Sequence, residues 1–285
     1  MQSTPQNPAK SQLRVKSLSI YPLKAAAGHQ LTSSVIQSTG LEHDRRFVLV
    51  DGSGRFVSQR SHPSLALLHL MMEPVLTLRH GKTEAALPLR SPTGSLRTVE
   101  VWGETVKAQD WGDAAARFLA QHFGSELRLC ERLHEETRWV KAPYSADSAV
   151  PYYFADAFPL LIVSQESLEL LNQKLIGQGQ AAVTMDRFRP NIVIEGAEAH
   201  AEDAWTRLRI GTSIEIVLTK LCSRCPVVTV EPSTGIKGRE PLASLALYRT
   251  IDGKIMFGKN AFLVSGAGSI LRCGDQVEVL QTHRD

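Results

Sequence analysis

The chain has 285 residues, 43% hydrophobic and 21% charged, which excludes a disordered protein and allows one large or two interlocked domains. Its 32 basic and 29 acidic residues give a net charge of +3, which indicates no bulk nucleic-acid binding but is compatible with a local basic pocket. No secretory signal opens the chain, and its most apolar runs, residues 65–72 and 158–163, are too short to span a membrane. We therefore expect a cytoplasmic protein with no nucleic-acid or membrane partner.

The N-terminal half is predicted to be mostly antiparallel β-structure. Residues 1–12 are polar and contain two prolines, so we expect a flexible tail. Residues 13–22 alternate apolar and polar side chains, as a half-buried strand does. Residues 46–50 and 55–58 flank a glycine-rich turn, which is typical of a hairpin. Further short strands are predicted over residues 75–79, 84–89, 98–102 and 105–108, the second of them at a sheet edge because of Pro88.

The C-terminal part is predicted to mix helices with strands. Asp113 suits the start of a helix over residues 112–122, and Ser164 is a candidate N-cap for a second helix that ends near residue 176. A short helix is predicted over residues 240–250. Strands are predicted over residues 191–195, 207–210, 213–218, 227–230 and 276–280. The predicted class is mainly β with a few helices (α+β), with a domain boundary near residues 130–150.

Cys222 and Cys225 form a CxxC pair that allows several interpretations. A structural zinc site usually needs two such pairs, and the sequence has one. A thioredoxin-type disulfide is followed by a helix, but Pro226 and the β-branched residues 227–230 favour a strand. A third interpretation is a single ligating or reactive cysteine on a loop, with Arg224 favouring its thiolate. Two buried cysteines that act as small apolar side chains are the fourth.

Residues 186–194 (DRFRPNIVI) form a second constellation. Because Pro190 biases Arg189 towards an extended backbone, Arg187 and Arg189 are predicted to point the same way. Two guanidinium groups on one face would clamp a phosphate, and Asn191 would add an amide. An edge strand kept soluble by arginines would explain the same residues.

A third constellation consists of polar residues at predicted strand ends, where loops build sites. It comprises Lys24 in YPLK, Arg45 in DRRF, and Gln59 with Arg60. Solvated residues in turns are the alternative explanation.

Together, these segments resemble the MOSC superfamily, in the branch with an N-terminal β-barrel domain that includes the bacterial YcbX proteins and the mitochondrial amidoxime-reducing components. The resemblance runs from about residue 13 to residue 280. It is carried by YPLK (21–24), DR (44–45), FPLLIVSQESL (158–168), FRPNIVI (188–194), CSRCPVVTVEPSTG (222–235) and EPLASLALYR (240–249). It implies a β-barrel-like domain over residues 13–130, packed on a β-barrel MOSC domain over residues 131–285.

The resemblance also implies a molybdenum–molybdopterin cofactor. The second cysteine of CSRC, Cys225, would be the metal ligand and the catalytic residue, with Cys222 as its neighbour; a soft thiolate suits this metal. Further cofactor contacts are expected from Lys24, Arg45, Arg189 and Asn191, from Arg187 on the geometric argument above, and from the backbone of Ser223.

The reaction that the resemblance implies is two-electron reduction of small N-hydroxylated compounds, such as hydroxylamines, amidoximes or N-hydroxylated bases. Some relatives carry a fused ferredoxin, which needs a C-x4-C-x2-C run, and Cys273 has no such neighbours. A separate ferredoxin or flavin reductase is therefore the expected electron donor. The alternative is a carrier that holds the cofactor, or a persulfide on Cys225, for delivery to other proteins. Two departures from the family pattern are Ala25, often Ser, and Glu231, more commonly Asp.

Overall fold

The computed structural model describes residues 12–88, 95–133, 135–145 and 149–283. The predicted tail, residues 1–12, lies outside the described residues except for Gln12. Strands predominate in the described part of the chain, and three α-helices accompany them, which confirms the predicted mainly-β class with few helices. None of the helices described is both long and apolar enough to cross a bilayer.

The elements are numbered in chain order. The strands are β1 (Arg14–Ile20), β2 (His29–Leu31), β3 (Ser33–Gln37), β4 (Gly40–Leu41), β5 (Phe47–Val50), β6 (Leu68–Met71), β7 (Thr77–His80), β8 (Thr83–Ala86), β9 (Leu96–Val101), β10 (Glu104–Asp110), β11 (Arg128–Arg132), β12 (Arg138–Trp139), β13 (Pro151–Tyr152), β14 (Leu160–Ser164), β15 (Ile192–Glu195), β16 (Trp205–Ile210), β17 (Ile214–Ser223), β18 (Thr250–Ile251), β19 (Lys254–Ser265), β20 (Ile270–Arg272) and β21 (Val277–Thr282). The α-helices are α1 (Gly112–Phe123), α2 (Gln165–Gly177) and α3 (Leu242–Ala246). Short 3-10 helices cover Pro63–Leu67, Met185–Phe188, Ala201–Asp203 and Pro226–Thr229.

The largest sheet joins strands from both ends of the chain. Its order is β2-β1-β15-β14-β19-β17-β16-β21, and β18 pairs with β19. Strand β1 alternates buried and exposed side chains as its sequence predicts, except at an irregularity between Val15 and Ser17, and its side chains Val15, Leu18 and Ile20 pack in the core of this sheet. Because β1 runs antiparallel to β15, with Leu18 opposite Ile192, the residues after β1 lie beside the residues before β15. This places the YPLK and FRPN segments together.

The N-terminal region forms a second core. One sheet has the order β5-β11-β10-β9, and a three-stranded sheet contains β6, β7 and β8. Helix α1 packs against these strands through Ala115 and Leu119, which share a buried cluster with Leu49 and Leu129. The boundary that the sequence predicts near residue 130 stays a prediction, but β1 contributes its side chains to the sheet of the C-terminal region.

Two predicted strands take other conformations. Residues 55–58 form only isolated bridges, between Val50 and Phe56 and between Arg55 and Glu100. The predicted strand over residues 227–230 is wrong, because Pro226–Thr229 is a 3-10 helix. Pro226 occupies its first turn, and the backbone N–H of Val228 donates to the carbonyl of Cys225 at 3.2 Å. Burial of these β-branched side chains therefore overrides their preference for a strand.

Candidate functional site

A cavity of about 160 Å³ lies where the ends of β1, β15 and β17 meet residues from the N-terminal region. All seven residues expected to contact the cofactor line it: Lys24, Arg45, Arg187, Arg189, Asn191, Ser223 and Cys225. Of the remaining pair at a predicted strand end, Arg60 lines it as well, whereas Gln59 does not and donates through Nε2 to the carbonyl of Ala25 at 2.8 Å. Residues separated by about 200 positions in the chain thus share one wall.

Backbone hydrogen bonds position the N-terminal part of the cavity. The N–H of Lys24 donates to the carbonyl of Phe47 at 2.8 Å, and that of Arg45 donates to the carbonyl of Tyr21 at 2.9 Å. The buried Asp44 carboxylate accepts the N–H of Tyr21 at 2.8 Å and a guanidinium N–H of Arg45 at 2.5 Å. These bonds hold the predicted YPLK and DRRF segments side by side.

Two arginines, Arg45 and Arg189, contact the ring of Tyr21. The guanidinium carbons of Arg189 and Arg45 lie 4.1 and 4.4 Å from its ring centroid, within the range of cation–π contacts. Arg45 Nη2 also donates to the carbonyl of Arg189 at 3.1 Å. Burial, together with repulsion from Arg45, lowers the pKa of Arg189 to about 10. Positive charge is therefore concentrated at this wall, where an anion would relieve the repulsion.

The predicted extended backbone at Arg187 and Arg189 is wrong. Arg187 lies in the 3-10 helix Met185–Phe188, and Arg189 has a left-handed conformation with φ 57°. Arg187 forms an ion pair with Glu231, and its Nη1 donates weakly to the carbonyl of Val228 at 3.4 Å. Arg187 thus ties the segment after Cys225 to the cavity, and Glu231, the departure from the commoner Asp, is its partner.

Asn191 is buried, and its side chain is used by the fold. Its amide oxygen accepts the N–H of Leu161 at 3.1 Å, and its Nδ2 donates to the carbonyl of Ser19 at 3.3 Å. Asn191 thereby ties β1 to the strand β14. The contacts present in the structure assign it a positioning role at the cavity wall.

The cysteine pair lies where β17 ends. Cys225 is the N-cap of the 3-10 helix Pro226–Thr229, and the two cysteines are not bonded to each other. Arg224 donates through Nη1 to Cys222 Sγ at 2.9 Å and through Nη2 to the carbonyl of Phe188 at 2.6 Å. The guanidinium of Arg224 thus contacts Cys222 directly, and its expected support of the Cys225 thiolate stays a prediction.

Asp156 is a residue of the cavity that the sequence analysis missed. Its carboxylate accepts a hydrogen bond from the buried Lys24 ammonium at 2.5 Å and another from the indole N–H of Trp102 at 3.0 Å. Burial lowers the pKa of Lys24, and Asp156 opposes this shift. The surrounding protein atoms would raise the pKa of Asp156 by desolvation, but this effect is small because the side chain is 78% exposed, and attraction to Lys24 holds that pKa well below its usual range. The one feature of the sequence that could have indicated Asp156 is its position just before the apolar residues 158–163.

The donor set suits an anionic ligand that carries a soft metal. Among the described residues of its lining, the cavity has one carboxylate, Asp156, and a larger set of cations: Lys24, Arg45, Arg60, Arg187, Arg189 and Arg224. Two of these arginines, Arg187 and Arg224, have a buried Nε without a hydrogen-bond partner. Guanidinium groups match phosphate oxygens, and the thiol of Cys225 is a ligand for thiophilic metals.

Comparison with known proteins gives matches along most of the chain. The family model for the MOSC N-terminal beta barrel domain matches residues 12–126, and that for the MOSC domain matches residues 150–278. Mitochondrial amidoxime-reducing component 1 of Mus musculus is 33% identical over 288 residues, which cover 93% of this chain and 82% of the relative. The human protein of the same name is 32% identical with the same coverage of both chains. Molybdenum cofactor sulfurase of Oryza sativa is 30% identical over 88% of this chain but only 32% of the relative. The chain is thus similar to the mitochondrial amidoxime-reducing components over most of its length. It belongs to the MOSC family, in the branch that has an N-terminal β-barrel domain.

Proposed function

We propose that this protein is a molybdenum-cofactor-dependent oxidoreductase that reduces N-hydroxylated compounds with electrons from a separate redox protein. One observation carries the proposal: Cys225 shares a single cavity with Lys24, Arg45 and Arg189, which come from distant parts of the chain. A phosphorylated cofactor and a thiophilic metal match these two kinds of ligand. The names of the amidoxime-reducing relatives support the proposed reaction.

The residues of this chain divide into two tasks. Lys24, Arg45 and Arg189 would hold the anionic part of the cofactor, and Cys225 would ligate its metal. When bound, the cofactor supplies two-electron redox chemistry to the substrate. In the overall reaction the N–O bond breaks, the nitrogen gains two electrons from the partner protein, and two protons are taken up as water leaves.

Asp156 does not donate a proton in the proposed reduction. Its low pKa keeps it a carboxylate at neutral pH, since Lys24 stabilises the charged form. Asp156 instead holds the buried Lys24 ammonium in place through their hydrogen bond. Protons would come from solvent, because the Asp156 side chain lines the cavity and is 78% exposed.

The test is elemental analysis of protein purified from a host that makes the cofactor. Cys225→Ala should lose nearly all molybdenum, because the thiolate ligand is removed, whereas Cys222→Ala should keep most of it. Equal loss from both variants contradicts Cys225 as the sole protein ligand. Wild-type protein supplied with a reduced flavin or ferredoxin partner should also reduce benzamidoxime.

A carrier function is the second candidate, and the similarity to a molybdenum cofactor sulfurase over 88% of this chain is the observation that favours it. A carrier would contain molybdenum or a persulfide on Cys225 but would not reduce benzamidoxime with any donor. It would instead transfer its cargo to an enzyme that lacks the cofactor. Turnover by the purified wild-type protein excludes this alternative.

A further inference from the structure

Trp102 occupies a turn position that suits few residues. Val101 pairs with Glu104, so Trp102 and Gly103 form a two-residue turn between β9 and β10. Both have positive φ, 56° for Trp102 and 79° for Gly103, as a type I′ turn requires. Asn, Asp or Gly normally fills the first position, and a bulky side chain there is an outlier. The turn itself does not explain the tryptophan.

The indole is held at the mouth of the cavity described above. Its Nε1–H donates to Asp156 at 3.0 Å, and its ring meets Phe56 edge-on with 5.1 Å between centroids. Trp102 lines the cavity together with Cys225 and stays 45% exposed. The strained backbone therefore presents a large aromatic surface, anchored by Asp156 and Phe56, to whatever enters the site.

A flat group already lies on this ring. The guanidinium carbon of Arg60 is 4.7 Å from the centroid of the indole. Arg60 is exposed, and no ion pair holds it among the described residues, so a ligand can displace it or stack beside it. A planar, conjugated group has the thickness and polarizability to take the same place.

We propose that Trp102 is a specificity-determining residue that stacks on a planar, conjugated group bearing the N-hydroxylated nitrogen. This inference rests on the proposed function, because it assigns the substrate class to the same cavity. Aromatic amidoximes and N-hydroxylated heterocyclic bases are favoured over aliphatic analogues, which offer no flat surface. Trp102 acts by binding the substrate, so its removal changes affinity more than the rate of the bound complex.

The test measures binding by calorimetry, with turnover as a separate assay. The ligands are benzamidoxime, which has a ring, and acetamidoxime, which has none. Trp102→Asn suits the positive φ of the turn and removes the ring; it should raise the dissociation constant of benzamidoxime about tenfold, within the range measured for aromatic stacking. The dissociation constant of acetamidoxime should stay within about twofold. Trp102→Phe should restore most of the affinity for benzamidoxime.

Trp139→Ala is the matched control, because Trp139 is 51% exposed and lies outside the lining of this cavity. It should leave both dissociation constants unchanged. Equal effects of Trp102→Asn on the two ligands, or no effect on either, overturn the inference. Wild-type protein that binds benzamidoxime selectively but does not reduce it would refute the proposed function while supporting the stacking role. If wild-type protein reduces benzamidoxime and Trp102→Asn still prefers it to acetamidoxime as strongly, the proposed function is supported and the stacking role is refuted.

Discussion

The ion pair between Lys24 and Asp156 shows how one exposed carboxylate supports a buried cation. Lys24 is almost fully buried, and Asp156 is its only carboxylate partner among the described residues. Its ammonium nitrogen also lies 4.9 Å from the ring centroid of Phe56 and 5.9 Å from that of Trp102. Because Asp156 is open to solvent, the pair lies between a surface ion pair and a buried one in strength.

Replacement of Asp156 should therefore give a pH-dependent loss of stability. The pKa of Asp156 is lowered in the folded protein, so its stabilising effect is present above its unfolded pKa of about 4 and is lost as the pH falls further. We expect Asp156→Asn to lower the free energy of unfolding by about 1–2 kcal/mol at pH 7. The difference from wild type, measured by denaturant unfolding, should shrink steadily below pH 4.

Asp113→Asn is the control, because Asp113 is also 78% exposed and also pairs with a basic residue. Its partner Arg128 keeps a second carboxylate, Asp110, at 2.8 Å, so no cation loses its last partner. This variant should cost about 0.5 kcal/mol or less. A loss for Asp156→Asn that is equally small, or independent of pH, would contradict the pairing of Asp156 with Lys24.

Arg189 should matter for cofactor retention more than for folding. Its guanidinium lies beside Arg45 on the Tyr21 ring, where like charges repel. Arg189→Ala removes that repulsion and a cavity cation, and it also removes the hydrogen bond from Nη1 to the carbonyl of Ala26 at 2.5 Å, so the stabilising and destabilising effects oppose each other. We expect molybdenum retention to weaken about tenfold, as for loss of one charge-assisted contact, with little change in melting temperature. Arg209→Ala, at an exposed pair with Glu278, should leave the metal content unchanged. A collapse of the Arg189→Ala melting transition would indicate a structural role instead.

Elements with a clear sequence pattern could be predicted. Segments whose conformation is set by contacts with distant parts of the chain could not. The alternation over residues 13–22 and the helix predicted over residues 112–122, with Asp113 near its start, gave elements that agree with β1 and α1 within one or two residues. The predicted strand over 227–230 and the extended Arg189 failed because contacts from elsewhere decide them. Arg187 binds the carbonyl of Val228, and Arg45 binds the carbonyl of Arg189, across long separations in the chain.

The candidate site was predictable where short motifs carry its residues. All seven positions expected to contact the cofactor line one cavity. Asp156 and Trp102 were missed because neither belongs to a cluster of charged residues, and their meeting depends on how β9 and β10 approach the segment before β14. Only the packing of distant elements reveals such pairs.

The turn at Trp102 provides a prediction about backbone strain. Trp102→Ala and Trp102→Gly remove the same indole contacts, but glycine adopts the positive φ without a steric penalty. Trp102→Gly should therefore be more stable than Trp102→Ala by about 1 kcal/mol, measured as the free energy of unfolding in denaturant. The same comparison at Trp139, in strand β12, should reverse in sign, since glycine weakens a strand. Equal stability of the two Trp102 variants would show that the turn is unstrained.

In the whole molecule, strands that are early in the sequence pack with strands from the other end of the chain. Strand β1 precedes the N-terminal sheets in sequence, yet it lies between β2 and β15 in the large sheet. Strand β3 likewise pairs with β20, near the other end of the chain. The chain thus crosses between the two regions more than once, and the cavity lies beside one of these crossings, at the segment 21–24.

This topology predicts which core loosens when β1 is weakened. Leu18 in β1 and Leu49 in β5 are both fully buried, but they belong to different cores. Leu18→Ala should cost about 2–5 kcal/mol and should reduce amide hydrogen-exchange protection first in β14 and β15. Leu49→Ala, with the same change in side-chain volume, should reduce protection first in β10 and β11. If Leu18→Ala loosens β10 and β11 first, β1 is energetically part of the N-terminal core, and the pairing of β1 with β15 does not govern how the molecule opens.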